Sequence, residues 1–120
     1  MLILKQESIS KPFTEADITK QIRTLLWKFN IFHWKQWQGG MSPIKGISDI
    51  LGIYKGQMIA TEVKARSKLS QDQYDFIQKV NNNGGKAFVA YGPDDVARAL
   101  QLNVDDNMMS AIRQIRAKTK

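Results

Sequence analysis

The stretch Gly46-Ile47-Ser48-Asp49-Ile50-Leu51-Gly52-Ile53-Tyr54-Lys55-Gly56-Gln57-Met58-Ile59-Ala60-Thr61-Glu62-Val63-Lys64 decides the fold. Asp49 opens an apolar run, Ile50 to Tyr54. Lys55-Gly56 supplies a turn, and Met58 to Lys64 reads as a second strand. Side chains alternate along a strand, so Glu62 and Lys64 share a face, two residues apart. Asp49 stands at the start of the partner strand. Two carboxylates and one ammonium can therefore meet at one end of a sheet, with Ile50, Ile59 and Val63 as apolar rungs beneath them.

Working outward, the flanks read as helices and strands in alternation. Thr14 is an N-cap, Glu15 and Asp17 suit the positive end of a helix dipole, and Ile18, Ile22, Leu25, Leu26 and Phe29 fall at helix-face spacing. By the same spacing Glu15 falls on the buried stripe. An acid at a helix start also has a purely local explanation in the dipole. Residues 31–38 are aromatic-rich and read as a strand with two mixed faces, placed near an edge or near the site. Trp34 and Trp37 are read as core or edge packing for at least one of the two, and His33 as structural or a phosphate contact.

Gly39 to Gly46 is a loop that carries Lys45 just before Asp49. Downstream, Ser70-x-x-Gln73 is a capping box that starts a helix faced by Phe76, Ile77 and Val80. Asn81 to Gly85 ends it, 86–91 is a short buried strand, and Gly92-Pro93-Asp94 caps a helix with Val96, Ala97 and Leu100 inward. A last helix is predicted over 107–118, with Met108, Met109, Ile112 and Ile115 inward and Arg113, Arg116, Lys118 and Lys120 as a basic tail. The order helix, three strands, helix, strand, two helices gives an α/β fold, a small mixed β-sheet flanked by helices. One domain is expected over 1–120, its core about 14–102, with 103–120 a C-terminal basic helix.

The 120 residues carry 18 basic and 11 acidic side chains, a net charge of +7, which favours a polyanionic partner. There is no cysteine and a single histidine, so disulfides, thiolate metal sites and multi-histidine zinc sites within one chain are excluded. Neither a signal-peptide pattern nor an apolar run near 18 residues occurs, so a cytoplasmic protein without a membrane span is expected.

Asp49 and Glu62 are hard oxygen donors of the kind that hold Mg²⁺ for phosphodiester chemistry, and the Val63 backbone carbonyl lies between Glu62 and Lys64 to complete such a shell. Lys64 would orient or deprotonate an attacking water, or neutralise the pentavalent state. On their own the same residues also read as a solvated hairpin with a cross-strand ion pair, and Gln73 as a cap alone.

Taken together, Gly46-x-x-Asp49, Glu62-Val63-Lys64, Lys68-Leu69-Ser70-x-x-Gln73, Gly84-Gly85 and the early helical Glu15 resemble the VRR-NUC domain, the virus-type replication-repair nuclease branch of the PD-(D/E)XK superfamily. The resemblance runs from about Glu15 to about Tyr91. It implies a restriction-endonuclease-like core and a Mg²⁺- or Mn²⁺-dependent DNA nuclease. It implies Asp49 and Glu62 as metal ligands, Lys64 as the catalytic lysine, and Glu15 and Gln73 as further active-site residues, with Glu15 on the metal directly or through water. It also implies a stand-alone member of phage or bacterial type, acting as a homodimer on branched DNA such as Holliday junctions. Lys45, Arg66 and Lys68 are the expected DNA contacts. One departure is Ser48, where the superfamily commonly has proline before the aspartate. The alternative is a nucleic-acid-binding module of the same fold with weak or lost cleavage; a third reading is a basic interaction protein.

Overall fold

The computed structural model describes residues 11–37 and 43–118. Residues 1–10, the last position of the predicted aromatic strand (Gln38), positions 39–42 of the glycine-rich loop and Lys120 of the basic tail lie outside these. The elements follow the expected order: α1 (Glu15–Lys28), β1 (Phe32–Lys35), β2 (Ile50–Tyr54), β3 (Gln57–Val63), α2 (Gln71–Asn82), β4 (Lys86–Ala90), α3 (Pro93–Leu100) and α4 (Asp106–Ile112).

The four strands form one sheet in the order β1-β2-β3-β4. β1, β2 and β3 are antiparallel neighbours, whereas β3 and β4 run parallel through the crossover helix α2. Lys55 and Gly56 both take positive φ, 52° and 75°, the two-residue turn that matches strand twist. Alternation then sorts the side chains. Ile50, Ile59, Val63 and Ala90 pack with Ile18, Ile22, Leu25 and Leu26 of α1, Val96 and Leu100 of α3, and Met109 and Ile112 of α4. Leu51, Ala60 and Ala87 take the other face under Ile77 and Val80 of α2. Three helices thus cover one face and one helix covers half of the other. Phe32, Trp34, Ile53 and Met58 are left exposed on the uncovered half.

Two expectations are corrected. The last helix stops at Ile112 instead of continuing to residue 118, because the chain beyond it is held by α1. Gln21 Nε2 donates to the Arg113 and Ile115 carbonyls at 3.1 and 3.0 Å, and the Ala117 N–H goes to Asp17 at 2.8 Å. Arg113 and Arg116 pair with Asp94 and Asp17. Met109 and Ile112 of this segment belong to the main core, with Met108 and Ile115 packed against it, as their inward reading expects. The aromatic strand is also shorter than predicted. The Ile31 N–H closes on the Leu26 carbonyl at the end of α1, so pairing begins only at Phe32.

Candidate functional site

Of the expected site residues, Asp49, Glu62, Lys64 and Gln73 gather at one end of the sheet, on the face that α2 covers. Ile50 lies opposite Thr61, so the next position, Asp49, faces Glu62 across the β2–β3 ladder. Asp49 is fixed twice. Its carbonyl accepts the Gln36 N–H at 2.7 Å, and its Oδ2 accepts the Val63 N–H at 2.8 Å. The second bond lays the carboxylate along the Val63 peptide. This bond has no sequence signature, because it joins a side chain to a backbone group of the next strand.

Glu62 and Lys64 are both buried, Glu62 to 2 % exposure. Glu62 Oε2 accepts from Gln73 Nε2 at 3.0 Å and lies 3.9 Å from Lys64 Nζ. Glu62 Oε1 is buried and receives no donor among the described residues. Removal from water, and then the Asp49 carboxylate alongside, push the Glu62 carboxyl up to about 8, against the opposing pull of the Lys64 ammonium. A proton retained on Glu62 lets the two carboxyls share a hydrogen bond, and Glu15 adds further negative potential.

Gln73 serves two purposes at once. Its Oε1 accepts the Ser70 N–H at 2.9 Å while Ser70 Oγ accepts the Gln73 N–H at 3.1 Å, which completes the predicted capping box. The amide nitrogen, unused by the cap, is the group that reaches Glu62. The approach of α2 is set by Gly46. It takes φ +72°, and a Cβ there would fall 2.1 Å from the Asp72 carbonyl oxygen. The loop leading into Asp49 is therefore pressed against the first turn of α2 at a position only glycine fills. Ser48, between them, is fully buried, and its Oγ has no partner among the described residues.

Glu15 is not on the buried stripe; it is exposed. Thr14 and Asp17 form the capping box of α1, which makes Glu15 the first helical residue, beyond the sheet end. From there its Oε2 accepts from the Ala65 N–H and Ser67 Oγ, both at 3.4 Å, and so clasps the segment after β3. Among the described residues no group of three or more His, Cys, Asp or Glu stands close enough to hold a metal ion. The compact part of the site is thus two carboxylates, a lysine and an amide. That donor set fits a hard divalent cation. Among the described residues a buried carboxylate oxygen lacks a donor, and two facing carboxyls retain a proton that a cation between them would replace.

Lys45, Arg66 and Lys68 are exposed. Arg66 donates to the Phe13 carbonyl at 3.3 Å, while Lys45 lines a cavity of about 390 Å³ together with Asp72, Asp75 and Lys79. None of the three tryptophans is in the core. Trp27, Trp34 and Trp37 are 58, 40 and 72 % exposed, with Trp34 tilted against Phe32 at 5.6 Å. His33 is buried and structural in its contacts, bonded to Ile31 and Arg23. The chain matches no family model, no curated protein and no solved structure.

Proposed function

We propose that this protein is a Mg²⁺- or Mn²⁺-dependent DNA endonuclease of the VRR-NUC type, selective for branched DNA such as Holliday junctions and acting as a homodimer in the cytoplasm of a bacterial host. One observation carries the reading. Glu62 is buried beside Asp49 with an oxygen that receives no donor among the described residues and a carboxyl raised to about 8, an arrangement that costs stability when both carboxyls are ionised and no cation lies between them. Asp49, Glu62 and the Val63 carbonyl would hold the ion, with Glu15 acting through water. Bound there, the ion would take up a phosphate oxygen and stabilise charge developing on the phosphoryl group. Gln73 holds Glu62 in one orientation. Lys64, buried and beside Glu62, would orient the attacking water or neutralise the transition state. A homodimer would present two sites to the two symmetry-related strands of a junction.

The test is cleavage of four-way junction, flap and linear duplex DNA in Mg²⁺, Mn²⁺ or EDTA. Metal-dependent cutting, lost in Asp49→Asn and Lys64→Ala, is the expected result; cutting that survives EDTA or Asp49→Asn overturns the site. The absence of a third clustered acid among the described residues favours a second reading, a DNA-binding module with weak or lost cleavage. Junction binding without any cutting selects it.

A further inference from the structure

Lys20, Arg23 and Trp27 form a second stripe on α1, beside the stripe that enters the core. With Ala16, Thr19 and Lys35 of β1 they line a cavity of about 320 Å³. β1 is an edge strand, so the groove opens along the side of the sheet. Its start adjoins the candidate site. Ala16 follows Glu15, and Lys35 precedes Gln36, whose N–H is bonded to the Asp49 carbonyl. Lys35 belongs to the opposite face of the sheet from Glu62, so a chain passing from one to the other must bend round the edge. From Ala16 to Trp27 the groove follows α1 for roughly 16 Å, the span of a few nucleotides.

The groove holds positive charge with no internal answer. Among the described residues the ion pairs involve Lys64, Arg98, Arg113 and Arg116, and none involves Lys20, Arg23 or Lys35. Arg23 is moreover held in place. Its Nε donates to His33 Nε2 at 3.3 Å, and its guanidinium carbon lies 4.7 Å from the Trp27 ring centre. Arginine can only donate, so His33 Nε2 accepts and its protonated Nδ1 donates to the Ile31 carbonyl at 2.9 Å. The His33 ring stands 5.3 Å from that of Trp27, at 50°. A buried histidine thus positions an arginine and an indole that is still 58 % exposed. Clustered cations beside a supported, open aromatic ring match a flexible polyanion that carries flat bases. A duplex meets neither need, since its bases are stacked on one another and it resists a bend this sharp.

We propose that the groove between α1 and β1 holds a single-stranded DNA arm leaving the cleavage site, with its phosphates on Lys20, Arg23 and Lys35 and one base on Trp27. The proposal rests on the nuclease reading for its substrate but is tested without cleavage. Binding of the full chain to three fluorescein-labelled DNAs is measured by anisotropy in EDTA at low salt: a blunt duplex, the same duplex with a single-stranded arm, and the arm alone. The armed duplex is expected to bind at least tenfold more tightly than the blunt one. Trp27→Ala and the double variant Lys20→Ala, Lys35→Ala should each remove most of that difference, while Lys79→Ala on α2 leaves it intact. The arm should also quench tryptophan fluorescence in the parent and not in Trp27→Phe, a change small enough to keep the fold. Equal affinity for blunt and armed DNA, quenching that persists in Trp27→Phe, or no DNA binding at all would each overturn the proposal. Metal-dependent cutting of four-way junction DNA alongside any of these leaves the nuclease reading standing, and arm binding without cutting does the reverse.

Discussion

The helices α1 and α2 begin with the same device and use it for different ends. Thr14 with Asp17, and Ser70 with Gln73, are both complete capping boxes. In each, the third residue spends one oxygen on the cap. What remains differs by chemistry. Asp17 has only acceptor capacity left: the cap oxygen Oδ2 also takes the Arg116 guanidinium at 3.3 Å, and Oδ1 takes the Ala117 N–H at 2.8 Å, fastening the C-terminal segment. Gln73 retains a donor, and it goes to the buried Glu62 carboxyl at 3.0 Å. A capping box is thus a local motif whose surplus hydrogen-bonding capacity decides whether it serves the fold or the site.

On the proposed nuclease function, removing each surplus should separate stability from activity. Asp17→Ala deletes the cap partner and both tail contacts, and we expect Tm to fall by roughly 10 °C or more with cleavage per folded molecule unchanged. Thermal melts paired with active-fraction assays check this. Gly46→Ala attacks the other helix from outside. A Cβ would overlap the Asp72 carbonyl in a left-handed conformation, so we expect a loss of about 3 kcal/mol in denaturant melts, with activity falling as α2 and Gln73 are pushed away. Gln73→Glu is the sharper variant. It keeps the cap oxygen but replaces the donor with a negative charge facing Glu62, so stability should change by about 1 kcal/mol while cleavage drops roughly a hundredfold.

The two boxes also predict opposite pH responses. Hydrogen bonds from Thr14 and Ala117 hold Asp17 below its ordinary value of 3.8, so the folded state binds fewer protons there than the unfolded chain. Its contribution is full above that value and is lost as pH falls through the lower folded value. Glu62 is the reverse. Between 4.5 and about 8 the metal-free fold holds a proton that the unfolded chain has released, so this contribution declines as pH rises across that window. Metal-free Tm, followed from acid to mildly alkaline pH, should rise and then fall, and Glu62→Gln should flatten the alkaline limb alone.

Much of this was legible in the sequence, and what was not has a common cause. The order of the eight elements follows from periodicity and turn residues. The meeting of Asp49, Glu62, Lys64 and Gln73 follows from strand alternation and a helix-start motif, since all four are placed by local rules. Asp17 read as a dipole acid because its partners lie about a hundred residues away, and the same long-range contacts end α4 six residues early. Glu15 was misjudged by periodicity, which places a residue on a face but not beyond the end of the sheet. The buried Ser48 and the Asp49 bond to the Val63 N–H depend on register between strands, which spacing along one strand does not fix.

The proposed chemistry requires the Asp49–Glu62 pair to be completed by a divalent cation that displaces a proton. Calorimetric titration of the metal-free protein with Mn²⁺ at pH 7, in two buffers of different ionisation enthalpy, measures that exchange directly. With the Glu62 carboxyl at about 8, saturable binding that releases close to one proton per ion is expected, with neither binding nor release in Asp49→Asn. Absence of binding, or binding that releases no proton and survives Asp49→Asn, would contradict it.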